Sequence, residues 1–329
     1  MTDILEKKNI ILGISGGIAA YKSVELLRLL IKQGADVRVL MTRNACRFVG
    51  PLTFEALSGK AVCTHLFQEG QNASIGHIEW AKDAAAVIIA PATANIIGKM
   101  AGGIADDAIT TFLLAVTAPI LICPSMNTDM YQSPAVQRNL SVLEKDGHFI
   151  LSPDSGALAC GVTGPGRLPD PEEILDRLIS VMCPQDLSGK QVLVTAGPTQ
   201  EPMDPVRFLS NPSSGKMGYA VARAAQQRGA LVTLISGPTS LQDPTGIKVI
   251  RIQTAAQMAS AVFEHFEEMD IIVKSAAVSD YRHEKTTTEK MKKENNEMVL
   301  NLFRNQYILE EAGQRKGDRL LVGIAAETE

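Results

Sequence analysis

Three residues in the first half of the chain carry side chains suited to proton or carboxylate chemistry, and each lies beside a turn signal. His77 stands in Gly76-His77-Ile78-Glu79, which reads as the start of a helix. An imidazole titrates near neutrality, which suits a general acid/base, although a histidine that only caps or covers a helix has the same signature. Asn127 closes Pro124-Ser125-Met126-Asn127, directly after the apolar run 119–123. Functional groups gather at the C-terminal ends of parallel strands, so Asn127 suits a carboxylate or an amide; forming the turn is its plainer use. Cys160, between Ala159 and Gly161 in a glycine-rich stretch, is the best candidate for an exposed, reactive thiol, although most single cysteines are inert. In the second half Asn211, Lys216, Asp280, Lys290, Lys292 and Lys293 suit a nucleoside triphosphate and its magnesium. The run TTTEKMKKENNE that holds three of them is equally the composition of a solvated loop.

Two turns are candidates for receiving phosphate. Ser15-Gly16-Gly17 lies between an apolar run and an amphipathic stretch, where backbone N–H groups and a helix dipole attract an anion. A tight turn without a ligand fits as well. Gly13, Gly16 and Gly17 do not make GxGxxG, and the next strand ends Met41-Thr42-Arg43 with no acidic residue for a ribose diol. That disfavours a dinucleotide and leaves a mononucleotide such as FMN. Ser214-Gly215-Lys216 resembles the end of a P-loop, but Ser210 occupies the first glycine position and Met217 replaces the magnesium-binding Ser/Thr. The segment 197–218 is nonetheless dense in turn formers just before a helix, which suits a phosphate site of another design.

Such groups need a frame, and the hydrophobic periodicity supplies one. Runs at 9–15, 36–41, 86–90, 119–123 and 148–151 read as buried strands, and 19–33, 105–116, 130–146 and 171–182 as helices. Strands alternating with helices predict a parallel sheet with right-handed crossovers. Residues 153–171, rich in Gly and Pro, read as a long functional loop. The opening theme then returns: a strand at 191–196, a Gly/Pro/Ser-rich segment, a helix at 217–228 and a strand at 231–236, with KQGADVRVL echoed by QRGALVTLI. A last strand running into a polar turn is expected at 319–327. The boundary between the two mononucleotide-binding units falls near 184–189, and the second is expected to be incomplete at its C-terminal end.

Composition narrows the classes. A chain of 329 residues has room for two α/β cores. With 45% hydrophobic and 21% charged residues it reads as a globular protein. A net charge of -4 and sparse aromatics give no footprint for nucleic acid. The opening MTDILEKKNI lacks an export signal, and the longest apolar runs are too short for a bilayer, so a cytoplasmic protein with no membrane partner is expected. Five cysteines without a CxxC pair argue against a disulfide framework or a zinc site.

Taken together, the motifs match a family. SGGIAAYK at 15–22, GHIE at 76–79, APATAN at 90–95, PSMN at 124–127 and PDSGALACGVTGPGR at 153–167 resemble the flavin-dependent cysteine decarboxylases. TAGPTQEPMDPVRFLSNPSSGKMG at 195–218 and AAVSDY at 276–281 resemble phosphopantothenoylcysteine synthetases. Order and spacing resemble the bacterial bifunctional enzymes of coenzyme A biosynthesis, in which the two are fused. The resemblance implies a flavodoxin-like parallel α/β decarboxylase domain over 1–183, a linker at 184–190 and a Rossmann-like α/β ligase domain over 191–329.

For the first domain the resemblance implies FMN held by Ser15, Gly16, Gly17, Ile18, Thr42, Ala90, Pro91, Ala92, Thr93 and Asn95. The flavin oxidises the cysteinyl thiol of 4'-phosphopantothenoylcysteine to a thioaldehyde, which lets CO2 leave and yields 4'-phosphopantetheine. His77 would be the acid/base, Asn127 would hold the substrate carboxylate beside Met126, and Cys160, on a flap, would donate a proton. For the second domain it implies CTP and Mg2+, with 4'-phosphopantothenate activated as an acyl-cytidylate and L-cysteine displacing CMP. Asn211 would stabilise that acyl-cytidylate, Arg207 would meet substrate, and Lys274, Ser275, Ala276, Asp280, Lys290 and Ile324 would contact CTP, Asp280 being the candidate magnesium ligand. Thr288 replaces the proline of a PEKIKK-like motif, and Ile324 stands where relatives often place Phe. Relatives continue past the AAET turn at 325–328 with a lysine-rich loop, so this chain is expected to lack ligase activity or to be a fragment of a longer protein. The resemblance also implies homo-oligomers, a trimer-based dodecamer through the first domain and a dimer through the second. The rivals are a peptidyl-cysteine decarboxylase or flavin prenyltransferase-like protein, and a non-catalytic regulatory subunit of the same fold; His77, Asn127 and Cys160 together favour the enzyme.

Overall fold

The run Asn9–Ile14 is apolar at every residue after Asn9 except a glycine, and it forms a central strand, β1, buried on both faces. A computed structural model of the chain describes residues 4–65, 79–157, 161, 163–284, 287–290 and 299–325. The chain divides into two units, Met1–Cys183 and Pro184–Glu329.

In the first unit β1 is followed by a short 3-10 turn and α1 (Lys22–Lys32), β2 (Asp36–Met41), α2 (Pro51–Ser58), β3 (Ala86–Ala92), α3 (Ala94–Ala101), α4 (Ala108–Ala115) and β4 (Ile120–Pro124). Then come α5 (Thr128–Gln132), α6 (Pro134–Lys145), β5 (Phe149–Ile150), β6 (Asp154–Ala157), β7 (Thr163–Arg167) and α7 (Pro171–Met182). The five-stranded sheet has the order β2-β1-β3-β4-β5, all parallel. Side chains alternate across it. Ile10, Leu12 and Ile14 pack with Leu26 and Leu30 of α1 and Ile174 and Leu178 of α7. Ile11, Val87 and Ile89 face the other way, onto Ile97 of α3, Phe112 of α4 and Leu140 of α6. With helices on both faces, the strands must be apolar on both, which is why they lack the in–out alternation of a half-exposed sheet.

The second unit contains β8 (Gln191–Ala196), β9 (Gln200–Pro202), β10 (Phe208–Ser210), α8 (Lys216–Gln227), β11 (Leu231–Ser236), β12 (Lys248–Arg251), α9 (Ala255–His265) and β13 (Ile271–Lys274). It ends with β14 (Tyr281–His283), β15 (Leu302–Arg304), α10 (Ile308–Gln314) and β16 (Leu320–Gly323). Its parallel sheet runs β12-β11-β8-β13-β16. Counted within the unit this is the order 3-2-1-4-5 of the dinucleotide-binding fold, whereas the first unit has the flavodoxin-like order 2-1-3-4-5. Val192 and Val194 pack on Tyr219 and Ala222 of α8, and Leu193 packs on Met258 and Val262 of α9 and Ile308 of α10.

Two sequence expectations are corrected. The stretch expected as one loop at 153–171 contains an antiparallel ribbon: Ser155 pairs with Pro165, Gly156 with Gly164 and Ala157 with Thr163. Glycine and proline hide strand pairing here because no apolar alternation marks it. The single helix expected at 130–146 is two helices, because Ser133 takes an extended ψ of 131° and Pro134 starts α6 afresh. The last strand is Leu320–Gly323.

Candidate functional site

In each sheet the direction of strand addition reverses next to the first strand, between β1 and β3 in the first unit and between β8 and β13 in the second. Connections leaving such a pair go to opposite faces and open a crevice at the strands' C-terminal ends. The first crevice is a cavity of about 840 Å3, large enough for a mononucleotide with a further ligand beside it.

The C-terminal end of β3 organises its walls. The carbonyl of Ala90 accepts from Ser23 Oγ at 2.7 Å. The carbonyl of Pro91 accepts from Ser15 Oγ at 2.7 Å and from the Ser15 amide at 3.2 Å, and the carbonyl of Ala92 accepts from the Ser125 amide at 2.9 Å. Ser15 Oγ in turn accepts from the Thr93 amide at 2.9 Å. Three successive carbonyls thereby hold the turn after β1, the first turn of α1 and the turn after β4. Gly16 is required there: a Cβ would stand 2.4 Å from Cβ of Asn44.

Of the residues singled out from sequence, Ser15, Gly16, Gly17, Ile18, Thr42, Thr93, Asn95, Met126 and Asn127 line this cavity. Ala90, Pro91 and Ala92 do not; they lie buried inside β3 and act through the carbonyls just described. His77 and Cys160 lie outside the described residues, as do Lys292 and Lys293. Asn127 caps α5, its Oδ1 accepting from the Asp129 amide at 2.8 Å and the Met130 amide at 3.4 Å. That fixes the plane of the amide group at the cavity wall. Sequence reasoning missed Lys22, Arg43, Lys99, Asp107, Gly166 and Arg167, all on the cavity wall. Arg43 follows Thr42 directly, and Lys22, Gly166 and Arg167 stand in the motifs at 15–22 and 153–167, so these had a local signal; Lys99 and Asp107 are brought in from other elements.

Lys99 Nζ donates to Asp106 Oδ1 at 2.6 Å and to Asp107 Oδ2 at 3.2 Å, and these carboxylates hold the ammonium above the usual lysine range. Burial pushes the Asp107 carboxyl up, but the Thr110 amide and hydroxyl and Lys99 outweigh it, so the net shift is downward. The walls are therefore cationic at Lys22, Lys99, Arg43 and Arg167, with Asp107 the acidic lining residue. Burial raises the thiols of Cys46, Cys63 and Cys123, which makes them poor nucleophiles.

In the second unit the loops after β8 and β13 meet where Pro198 bridges Ala277. Asn211 Nδ2 donates to the carbonyls of Ala277 at 3.4 Å and Val278 at 3.1 Å. Thr195 Oγ1 receives the amides of Ser275 and Ala276, each at 3.2 Å, while Ser275 Oγ is buried without a partner among the described residues. Lys274 and Asp280 line a small notch with Arg304, Asn305 and Tyr307, and the Ile324 amide donates to the Lys274 carbonyl at 3.0 Å. Burial lowers the Lys274 ammonium below its ordinary value, with Asp280 opposing. Its Nζ sits 5.4 Å from the Tyr307 ring centre. Asn211, Lys274, Ser275, Ala276, Asp280 and Ile324 are thus joined in one place.

Arg207 sits in the turn between β9 and β10, where buried Asp204 accepts the amides of Val206 at 2.8 Å and Arg207 at 2.7 Å. The Thr287 amide donates to Met203 in the same turn at 3.0 Å, which brings the exposed segment of Lys290 to it. Among the described residues no group of three or more His, Cys, Asp or Glu stands ready to hold a metal ion. Magnesium commonly needs only one or two carboxylates when phosphates complete its shell.

Residues 2–182 match the family described as Flavoprotein, and residues 187–329 match the DNA/pantothenate metabolism flavoprotein C-terminal domain. The chain is 50% identical over 330 aligned residues to the coenzyme A biosynthesis bifunctional protein CoaBC of Bacillus subtilis, covering 99% of this chain and 81% of that protein. It is 46% identical over 329 residues to the protein of the same name from Escherichia coli K12, covering 98% of this chain and 81% of the other. A solved C-terminal domain of a CoaBC protein is 44% identical and covers 43% of this chain and 67% of its own, with a TM-score of 0.39.

Proposed function

The chain belongs to the family of coenzyme A biosynthesis bifunctional proteins, with a phosphopantothenoylcysteine decarboxylase and a phosphopantothenate–cysteine ligase activity, and from that premise we propose how its residues divide the work. Residues 1–183 form the decarboxylase, 184–190 a linker and 191–329 the ligase. The observation that carries this reading is that the two family matches lie side by side in the fused order of the relatives, 2–182 and then 187–329.

In the first unit the crevice between β1 and β3 takes FMN. The turn at Ser15-Gly16-Gly17 and the start of the helix behind it receive the phosphate, and Thr42, Thr93 and Asn95 contact the rest. The fit rests on a crevice of sufficient volume at the flavodoxin-like switch point and on the close approach that only glycine allows at position 16. FMN supplies two-electron oxidation of the cysteinyl thiol and takes up and returns the electrons around the loss of CO2. Asn127 holds the departing carboxylate, Met126 packs beside it, and His77 moves the thiol proton. Cys160 gives a proton to the product carbon.

In the second unit the carboxylate of 4'-phosphopantothenate attacks the α-phosphorus of CTP, pyrophosphate leaves, and the amine of L-cysteine then displaces CMP to form the amide. Lys274, Lys290 and Asp280 with Mg2+ balance the triphosphate charge, Ser275 Oγ and the Ala276 segment meet the nucleotide beside Ile324, and Arg207 receives the anionic substrate. Asn211, anchored to the Ala277 and Val278 carbonyls, orients the acyl-cytidylate. The chain works in the cytoplasm on these small molecules, as a homo-oligomer.

The test is an absorbance spectrum of the purified protein followed by anaerobic addition of 4'-phosphopantothenoylcysteine with CO2 detection. A yellow protein that releases CO2 is the expected result, and His77→Asn should abolish release while FMN stays bound. A colourless protein that FMN cannot reconstitute sinks the decarboxylase assignment.

A further inference from the structure

Lys22 is the first residue of α1, it lines the cavity, and its side chain is only 8% exposed. Its Nζ reaches across 146 residues to the Leu168 carbonyl at 3.0 Å and across 148 to Asp170 Oδ1 at 2.7 Å. Arg167 lines the same cavity and points Nη2 at that same Oδ1, but from 3.8 Å. Two cations thus compete for one carboxylate oxygen, and Lys22 holds it at hydrogen-bond distance. The hydrogen bond from Lys22 keeps the Asp170 carboxyl below its ordinary range, so it is a full anion near neutrality.

The backbone on either side of Arg167 is pinned as well. The Gly166 carbonyl accepts from the Met126 amide at 3.0 Å, and Leu168 is buried in the core. Gly166 has φ of 139°, and a Cβ there would stand 2.1 Å from the Met126 carbonyl. The foot of the β6–β7 ribbon is therefore fixed at 166 by the PSMN turn and at 168 by Lys22. Between them the Arg167 guanidinium is the part left to move, with Asp170 on one side and the cavity on the other.

We propose that Lys22 is a positioning residue that occupies Asp170 and so keeps the Arg167 guanidinium turned to the cavity, where it receives a phosphate monoester. The inference rests on the reading of this cavity as the decarboxylase site. Both ligands of that reading, FMN and 4'-phosphopantothenoylcysteine, carry a phosphate monoester, and the experiment separates them. With Lys22 absent, Asp170 captures Arg167 and draws it out of the cavity.

The test uses the full chain with Lys22→Met, which keeps the stem and removes the charge, with Asp170→Asn, and with both changes. Each protein is assayed for FMN affinity of the apoprotein by fluorescence quenching, and for KM and kcat of CO2 release at saturating FMN. Lys22→Met should weaken one phosphate ligand about tenfold, as expected for loss of one charge-assisted bond, with kcat little changed. A change in FMN affinity assigns the phosphate to the flavin; a change in KM alone assigns it to the substrate. Adding Asp170→Asn should restore the lost affinity, because the competitor for Arg167 is gone, and a merely structural lysine would give no such reversal. Asp170→Asn alone should bind at least as tightly as the parent. A double variant no better than Lys22→Met overturns the proposal, as does an unchanged affinity for both ligands in Lys22→Met. If the unaltered chain binds FMN but releases no CO2, the decarboxylase reading fails separately, and the FMN arm still decides the role of Lys22.

Discussion

At the scale of single residues the two sites differ in how they handle charge. Lys274 sits half-buried under the Tyr307 ring, and burial lowers its pKa from the ordinary 10.5 while Asp280 pulls the other way. A triphosphate prefers the charged form, so binding raises this pKa again. Affinity for Mg·CTP is then full below the pKa of the free protein and falls as pH rises through it. Because that value lies below an ordinary lysine's, the loss begins at a lower pH than a surface lysine would give. Calorimetric Kd values across the alkaline range should show the fall in the parent and a flat profile in Lys274→Arg, whose guanidinium stays charged. A flat profile in the parent would remove Lys274 from the triphosphate site. Gly166 gives a steric counterpart. Alanine there must displace the Met126 carbonyl, and because φ is 139° the backbone is strained as well. Gly166→Ala is expected to cost about 1–3 kcal/mol in unfolding experiments and to weaken FMN binding. Unchanged stability and unchanged FMN affinity would mean that the ribbon foot is not pinned.

At the scale of elements, caps decide where the site loops end. Asp107 opens α4 with a capping box: its Oδ1 accepts from the Thr110 amide at 2.9 Å, and Thr110 Oγ1 accepts from the Asp107 amide at 3.1 Å. Asp107→Ala should lower stability by about 1 kcal/mol. The carboxyl is lowered on balance in the folded state, with burial opposing, so its contribution is present above the unfolded pKa and lost as pH falls through the folded one. The variant's deficit should therefore shrink in acid; a deficit constant with pH would place the effect in the helix backbone alone. Elements with a strong apolar period were legible from sequence, such as β1, β2, α1, α7, β8 and β11. The β6–β7 ribbon was not, since its pairing residues are Ser, Gly, Ala and Pro with no alternating apolar face. Nor was the break before α6, where the apolar period continues and only the local effect of Pro134 interrupts it. Of the first site, the turn residues were legible because Gly, Ser and Asn sit at strand ends. The pairing of Lys22 was not, because its partner Asp170 lies 148 residues away and leaves no spacing to read. Lys99 and Arg167 have acidic partners within eight residues, which read as ordinary surface pairs.

At the scale of the whole molecule, each unit carries its own paired cores, one on either face of its sheet: Leu12 with Leu27, and Val87 with Phe112, in the first unit; Val194 with Ala222, and Leu193 with Val262, in the second. Each also has its own switch-point crevice. A ligand that binds only the folded state stabilises by about 2.7 kcal/mol at a hundredfold excess over Kd. In a unit of this size that shifts the midpoint by about 5–10 °C. If FMN belongs to the first unit and CTP to the second, calorimetry of the full chain should resolve two transitions. Saturating FMN should raise one of them and Mg·CTP the other, and stripping the flavin should lower only the first. One transition raised by both ligands would show that the chain unfolds as one cooperative body, so that either ligand stabilises both halves. A second transition that ignores Mg·CTP, alongside a first that follows FMN, would locate the failure in the ligase half and leave the decarboxylase assignment standing.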